Sequence, residues 1–470
     1  MDRLMQLVRG YYRDPIVRAR MAEFLGGSGP GRETAFYIKG YRGTAGCSTE
    51  RRHPQELAAC LDEGCDVERS LWDRTHLIAD LDIEYVNFDF PGEPYLDPGR
   101  AFALQRPVVD AIKTLLASHG VRPLQLLSGR GHHFVWAIRR DSQSFAELAH
   151  LGRVPTTLAE AYSATQPPTG EIVGLSLGRA FAGLGMVLEH LVEEVLALAG
   201  PRTPVPIQVM EVEVGTGQLG REIISLDISE YGDPLHTRHI RVPFSAYLKA
   251  HRRKEYFGEH VVAGMPPLFQ IPLCGVDEEE ALEIMRRSDE VAALAGDVRM
   301  TIPDATDAMS NLIAEYQKAP LAAFHQQYFE DEILAPGVSK ALRQRSRSAL
   351  PLCVENALQN PNDLLLKPAV VQHVVRVLLA LGWRPRQIAG LIWTAFKQDH
   401  NWGSRWGRSD PCWRADFFTR VFAGLVATGR DSLIDLNCVS HQEKGYCAYS
   451  GCTNNLLTYQ HLLLARRAHG

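Results

Sequence analysis

The chain has 470 residues, a formal net charge of −5, 45% hydrophobic and 22% charged residues. That length supports roughly two to four domains with sizeable cores. The negative balance excludes a simple polybasic nucleic-acid binder but leaves room for a local basic groove, and no apolar run approaches the ~18 residues of a membrane span.

The opening MDRLMQLVRGYYRDP is helical in pattern, with scattered charges and no apolar centre. No secretory signal and a cytoplasmic location are therefore expected. A Gly-rich stretch follows, and then Cys47, His53, Cys60 and Cys65, with five, six and four residues between them. Those spacings match no common zinc finger, which needs two close pairs. Cys60 falls on a predicted helix over 54–63.

The stretch His76–Asp89, HLIADLDIEYVNFD, reads as a strand. Alternation puts Asp80, Asp82 and Glu84 on one face and Leu81, Ile83 and Tyr85 on the other. Two readings are open. The acids form a solvent-facing polar edge, or they form a metal site. Three same-facing carboxylates are costly to bury unpaired, and a hard divalent cation such as Mg²⁺ or Mn²⁺ removes that cost.

Residues 101–119 show helical periodicity and stop at Gly120, a natural C-cap. The strand PLQLLSGRGHHFVWAI is broken at its centre by Ser128-Gly129-Arg130-Gly131. Residues 139–175 give no clear pattern. A long amphipathic helix is predicted over 180–199, then strands in IQVMEVEV and REIISLDIS, and then IRVPFSAYL. The order β, α, β, α, β, β predicts an α+β sheet with helices on one side.

Glycines at 129 and 131 let the backbone approach a ligand, and Arg130 with a histidine completes a phosphate-binding turn. Arg238 and Arg241 are placed to bracket a polyphosphate with forked contacts. The ordinary readings are a plain turn and a Pro-containing edge strand.

Residues 255–350 turn helical, and the basic, Ser-rich SKALRQRSRSALPLC marks a boundary. Beyond it, VVQHVVRVLLALG and PRQIAGLIWTAFKQ read as helices separated at Gly382-Trp383. Nine cysteines, an odd count, argue against a disulfide framework. Four of them lie in the last 60 residues, which points to a metal or cluster site.

Asp82-Ile83-Glu84, the SGRGHH turn, and Asp227 with the following RHIRVPFSAY together resemble the archaeo-eukaryotic primase superfamily, over roughly residues 70–255. The resemblance implies an RRM-like catalytic domain with a mixed or antiparallel sheet over 1–255. It implies Asp82, Glu84 and Asp227 as ligands of Mg²⁺ or Mn²⁺. Asp80 is a candidate through the rival register Asp80-Leu81-Asp82. Ser128, Gly129, Arg130, Gly131, His133, Arg238, Arg241, Ser245 and Lys249 would hold the nucleotide triphosphate. One departure is Tyr247, where the family usually has histidine; a tyrosine offers a hydrogen bond there but no charge.

The implied reaction is two-metal nucleotidyl transfer from NTPs or dNTPs on single-stranded DNA, as in a DNA primase or primase-polymerase. Replication proteins such as a helicase would be partners. The rivals are a repair-type polymerase that only extends ends, and a catalytically inactive primase-derived nucleic-acid-binding protein.

Cys353 precedes Cys438, Cys447 and Cys452, and the last three have eight and four residues between them. With the helices between, this resembles the C-terminal domain of the primase large subunit, where four cysteines hold a [4Fe–4S] cluster. Zinc is the alternative, since four thiolates satisfy either. The resemblance implies an all-α cluster domain over 346–470, joined by a helical connector over 256–345. Cys412 is a spare thiol. Trp402, Arg405, Trp406, Arg466 and Arg467 would contact template or initiating nucleotide by stacking and charge.

Overall fold

The computed structural model describes residues 2–27, 32–41, 51–167, 169–210, 212, 221–232, 239–331, 350–359, 367–396, 410–447 and 452–469. The chain divides into two units: Met1–Met186 with Arg238–Ile313, and Val187–Thr237 with Ala314–Gly470. Both helices and sheets are present, so the class is α+β.

The two main sheets of the first unit use these strands: β1 Ile38–Tyr41, β2 Arg51–Arg52, β3 Asp66–Ser70, β4 His76–Asn87, β5 Leu124–Leu127, β6 Gly131–Arg139, β7 His239–Arg241 and β8 Ile271–Pro272. One sheet runs β7-β3-β1-β2, antiparallel throughout. In the other, β8, β5, β6 and β4 lie side by side, again antiparallel. The strand that the sequence shows broken at SGRG is a hairpin: β5 and β6 fold back on each other, with Leu127 opposite His132.

β4 is the longest strand, and it is buried along both faces. Its apolar face carries Leu81, Ile83 and Tyr85. Helix Pro98–Ser118 packs against β4 and β6, with Phe102, Val108, Val109, Ile112 and Leu116 inside. Each such side chain contributes about 1.5–3 kcal/mol of burial. The helix begins on a proline, whose fixed φ suits the first turn. It ends before Gly120, at φ +86°, where a side chain would be strained. The solvent-edge reading of the acids fails, because Asp80, Asp82 and Glu84 are only 5%, 6% and 7% exposed.

Residues 139–175, unreadable from sequence, form helices Gln143–Leu151 and Thr156–Ser163 and a short hairpin, Thr165–Gln166 with Glu171–Ile172.

The second unit is mostly helical. Helix Pro411–Ala427 packs against Pro385–Phe396, Pro368–Ala380 and Pro320–Glu330. Gly382, at φ +87°, ends the second of these just before Pro385 restarts the chain as a helix. Two parallel strands, Ile207–Val209 and Glu222–Asp227, also belong here. Arg376 is fully buried and binds Asp431 and Asp435, the latter also held by Lys444 at 2.6 Å. Every member is hydrogen-bonded, which is what a buried charge network requires. Among the described residues no helix is long and apolar enough to cross a membrane.

Candidate active site

Antiparallel register sets the site. On β4, Asp80, Asp82 and Glu84 face Val135, His133 and Gly131 of β6. His133 Nδ1 lies 3.2 Å from Asp80 Oδ2, and its Nε2 lies 3.7 Å from Asp82 Oδ1. Burial alone would lower the His133 pKa, but Asp82 and then Asp80 raise it to about 9. The ring is thus an imidazolium shared by two carboxylates. Glu84 is met by the Arg130 guanidinium and, at 3.7 Å, by Lys249 Nζ.

The row is therefore a line of buried carboxylates faced by His133, Arg130 and Lys249. Same-face residues on a strand are about 6.7 Å apart. Among the described residues, no three His, Cys, Asp or Glu side chains converge tightly enough to hold one ion. The carboxylate oxygens are nonetheless the donor set that Mg²⁺ and Mn²⁺ prefer.

The SGRG turn needs both of its glycines. A Cβ on Gly131 would meet the Ile83 carbonyl oxygen at 1.7 Å, and one on Gly129 would meet Tyr95 at 2.8 Å and Tyr247 at 3.0 Å. Ser128 points inward, its hydroxyl donating to the Gly131 carbonyl at 3.2 Å. The Arg130 carbonyl accepts from Tyr85 N–H and from Gln105. Tyr95 received no role from the sequence, yet its hydroxyl meets that of Tyr247 at 3.2 Å. The two rings wall the turn.

Other motif residues serve the fold. Arg241 is 6% exposed and forked onto Asp66 at 2.7 and 3.0 Å, with Glu68 at 3.2 Å. Its guanidinium also lies over the Tyr247 ring, 4.3 Å from the centroid. Asp66 further accepts from Arg252 and from Leu248 N–H. Ser245 is fully buried; its Oγ accepts from Val67 N–H at 2.8 Å and meets Tyr12 Oη at 3.3 Å. These contacts fix the segment that delivers Lys249 to Glu84. Arg238 lies outside the described residues. Asp227 ends its strand in the second unit, 1% exposed, its Oδ1 accepting from Ser229 N–H at 2.9 Å.

The second unit also gathers the late cysteines. Burial, then Cys447 and then Cys438, push the Cys353 thiol up to about 12. The Tyr459 hydroxyl is raised by burial and then by Cys353 and Cys452. Cys438 and Cys447 thus act on Cys353, and Cys353 and Cys452 on Tyr459, while among the described residues no three of these side chains are grouped around one ion. His373, which the sequence left as one more residue of an apolar helix, places Nε2 3.3 Å from Cys353 Sγ. Cys412 sits instead beside Asp416 and Asp410, which with burial raise it to about 12. Four thiolates fit either an iron–sulfur cluster or zinc in chemistry. Trp402, Arg405 and Trp406 lie outside the described residues. Arg466 donates to the Leu379 and Ala380 carbonyls.

No family model matches the chain, and no curated protein matches it. Among solved structures it is similar to the polymerase domain of Mycobacterium tuberculosis Ligase D, solved in complex with DNA. The identity is 14%, covering 67% of this chain and 93% of that one, with a TM-score of 0.30. A likeness at that level assigns no chemistry to any residue.

Proposed function

We propose that this chain is a nucleotidyltransferase of the primase–polymerase kind, joining NTPs or dNTPs on a single-stranded DNA template. The observation that carries the reading is the buried row Asp80, Asp82 and Glu84 on β4, faced by His133, Arg130 and Lys249. The three carboxylates are balanced by protein cations, and their oxygens are also the donors that a hard divalent ion takes.

Asp82 and Glu84 would hold Mg²⁺ or Mn²⁺, with Asp80 beside them; the sequence resemblance adds Asp227. A divalent ion supplies charge stabilisation for the attacking hydroxyl and the leaving pyrophosphate. Arg130 and Lys249 are the cations that would hold phosphate oxygens. His133 keeps Asp80 and Asp82 apart in charge and fixed in place. Cys353, Cys438, Cys447 and Cys452 would hold a [4Fe–4S] cluster, with zinc as the alternative.

The test is labelled-nucleotide incorporation on circular unprimed single-stranded DNA and on an annealed primer, with Mg²⁺ or Mn²⁺. Wild type should make new strands, and Asp82→Ala with Glu84→Ala should lose about a thousandfold or more, the scale of removing transition-state electrostatics. Extension of the primer alone would instead assign a repair-type polymerase. No incorporation on either substrate sinks the enzyme reading and leaves a nucleic-acid-binding role. Metal analysis after anaerobic purification decides between iron with sulfide and zinc.

A further inference from the structure

Away from the acid row, the first unit holds a pair of thiols whose contact is set by backbone geometry. Helix Leu57–Asp62 ends with Gly64 at φ +75°. Gly64 N–H donates to the Leu61 carbonyl and Cys65 N–H to the Cys60 carbonyl, both at 2.9 Å. This is a Schellman end, and it brings together the two positions that ordinarily close it with an apolar contact. Here those positions are Cys60 and Cys65, both fully buried.

The surroundings are not those of inert core thiols. Arg52 Nη1 lies 3.4 Å from Cys60 Sγ, and its guanidinium forks onto Glu63 at 3.1 Å. Cys65 Sγ points to Glu63 Oε2 at 3.7 Å. The neighbouring Cys65 side chain lowers the Cys60 pKa; burial opposes it and the Arg52 charge supports it. Cys65 is pushed upward. The geometry therefore sets the two sulfurs apart: Cys60 has the Arg52 guanidinium beside it, and Cys65 has the Glu63 carboxylate. Gly40 of β1 closes the top, where a Cβ would come within 3.1 and 3.3 Å of the two sulfurs. Arg52, whose side chain is 14% exposed, lies between Cys60 and the partly exposed Glu63.

We propose that Cys60 and Cys65 are a redox-active dithiol, a modification site that closes reversibly into an intrachain disulfide under a hydroperoxide. The Cys60 thiolate attacks one peroxide oxygen. The O–O bond breaks and the departing hydroxide takes a proton to become water, leaving Cys60 as its sulfenic acid. Cys65 sulfur then attacks Cys60 sulfur. The S–O bond breaks, and a second water leaves with the Cys65 proton. Two thiols are oxidised and one peroxide is reduced. The new bond lies one residue before Asp66, the carboxylate that anchors Arg241, Arg252 and Leu248 N–H.

The experiment exposes the full chain to hydrogen peroxide, alkylates it under denaturing conditions and maps the peptides by mass. Wild type should lose two hydrogens across Cys60 and Cys65, and dithiothreitol should restore them. In Cys65→Ser, Cys60 should stop at the sulfenic acid and be trapped by dimedone. Arg52→Gln should slow closure about tenfold. If both thiols stay alkylatable while exposed Cys274 oxidises in the same sample, the proposal is overturned. Stoichiometric zinc on the pair overturns it as well. None of these readouts involves nucleotide incorporation, so failure here leaves the polymerase reading untouched.

Discussion

His133 stands opposite Asp82 across the β4–β6 pair and divides its two ring nitrogens between Asp82 and Asp80. One imidazolium thus answers two buried carboxylates. His133→Ala removes the positive charge that both carboxylates face. Breaking a buried pair from one side costs roughly 3–5 kcal/mol. The variant should melt well below wild type in EDTA, and added Mn²⁺ should raise its melting temperature more than it raises that of wild type. Equal melting of the two proteins in EDTA would show that the imidazolium does not hold the acids.

Asp66 carries a heavier structural load than any acid of the β4 row. It is fully buried and binds two guanidiniums and a backbone N–H. Burial pushes its pKa up, but Arg241 and Arg252 bring it below the usual carboxylate value. Asp66→Asn should therefore cost about 3–5 kcal/mol in urea unfolding, because both arginines lose a buried counter-charge. Glu68 meets Arg241 at 3.2 Å from a partly exposed position. Glu68→Gln should cost about 1 kcal/mol or less. Similar losses in the two variants would contradict this ranking.

Much of this was legible locally. The acid row follows from alternation, the break at SGRG from its glycines, and the helix end from Gly120; that the broken strand folds back on itself as a hairpin does not follow from them. What escaped was long-range. Arg241 looks like a phosphate ligand in RHIRVPFS, yet its carboxylate partner lies 175 residues earlier in the chain. Ser245 likewise answers Val67 and Tyr12. His373 sits in a run of valines and is identified only by Cys353, 20 residues away. Burial of the acids was equally hidden, because a single strand's pattern cannot say what covers its polar face. Local spacing encodes faces and turns; it does not encode which charge a guanidinium finds across the fold.

The SGRG turn makes a sharp contrast between glycines. Gly131→Ala drives a methyl into the Ile83 carbonyl, inside the β4–β6 ladder. Backbone cannot yield there without opening the register that aligns His133 with Asp82. A loss of several kcal/mol is expected, with soluble expression reduced. Gly99, in the first turn of helix Pro98–Ser118, has nothing nearer than the Asp97 carboxylate at 3.9 Å. Gly99→Ala should be neutral or stabilise by up to about 1 kcal/mol. Thermal melts of the two variants test both statements at once.

In the second unit, Glu193 makes stability depend on pH in the less usual direction. It is 5% exposed and accepts from Thr428 Oγ1 at 2.7 Å. Burial raises its pKa from 4.5 to about 8, against the Thr428 hydrogen bond and with the help of Glu189. At neutral pH the folded chain therefore holds a proton that the unfolded chain has released. Stability from this group is complete below 4.5, declines as pH rises toward about 8, and is flat above that. Glu193→Gln keeps the shape, stays neutral, and removes the slope. The variant should gain on wild type as pH rises, with the gap small near about pH 5 and largest near about pH 9. Urea unfolding at those two values measures it. A gap that does not grow with pH would mean that Glu193 is already ionised in the folded protein.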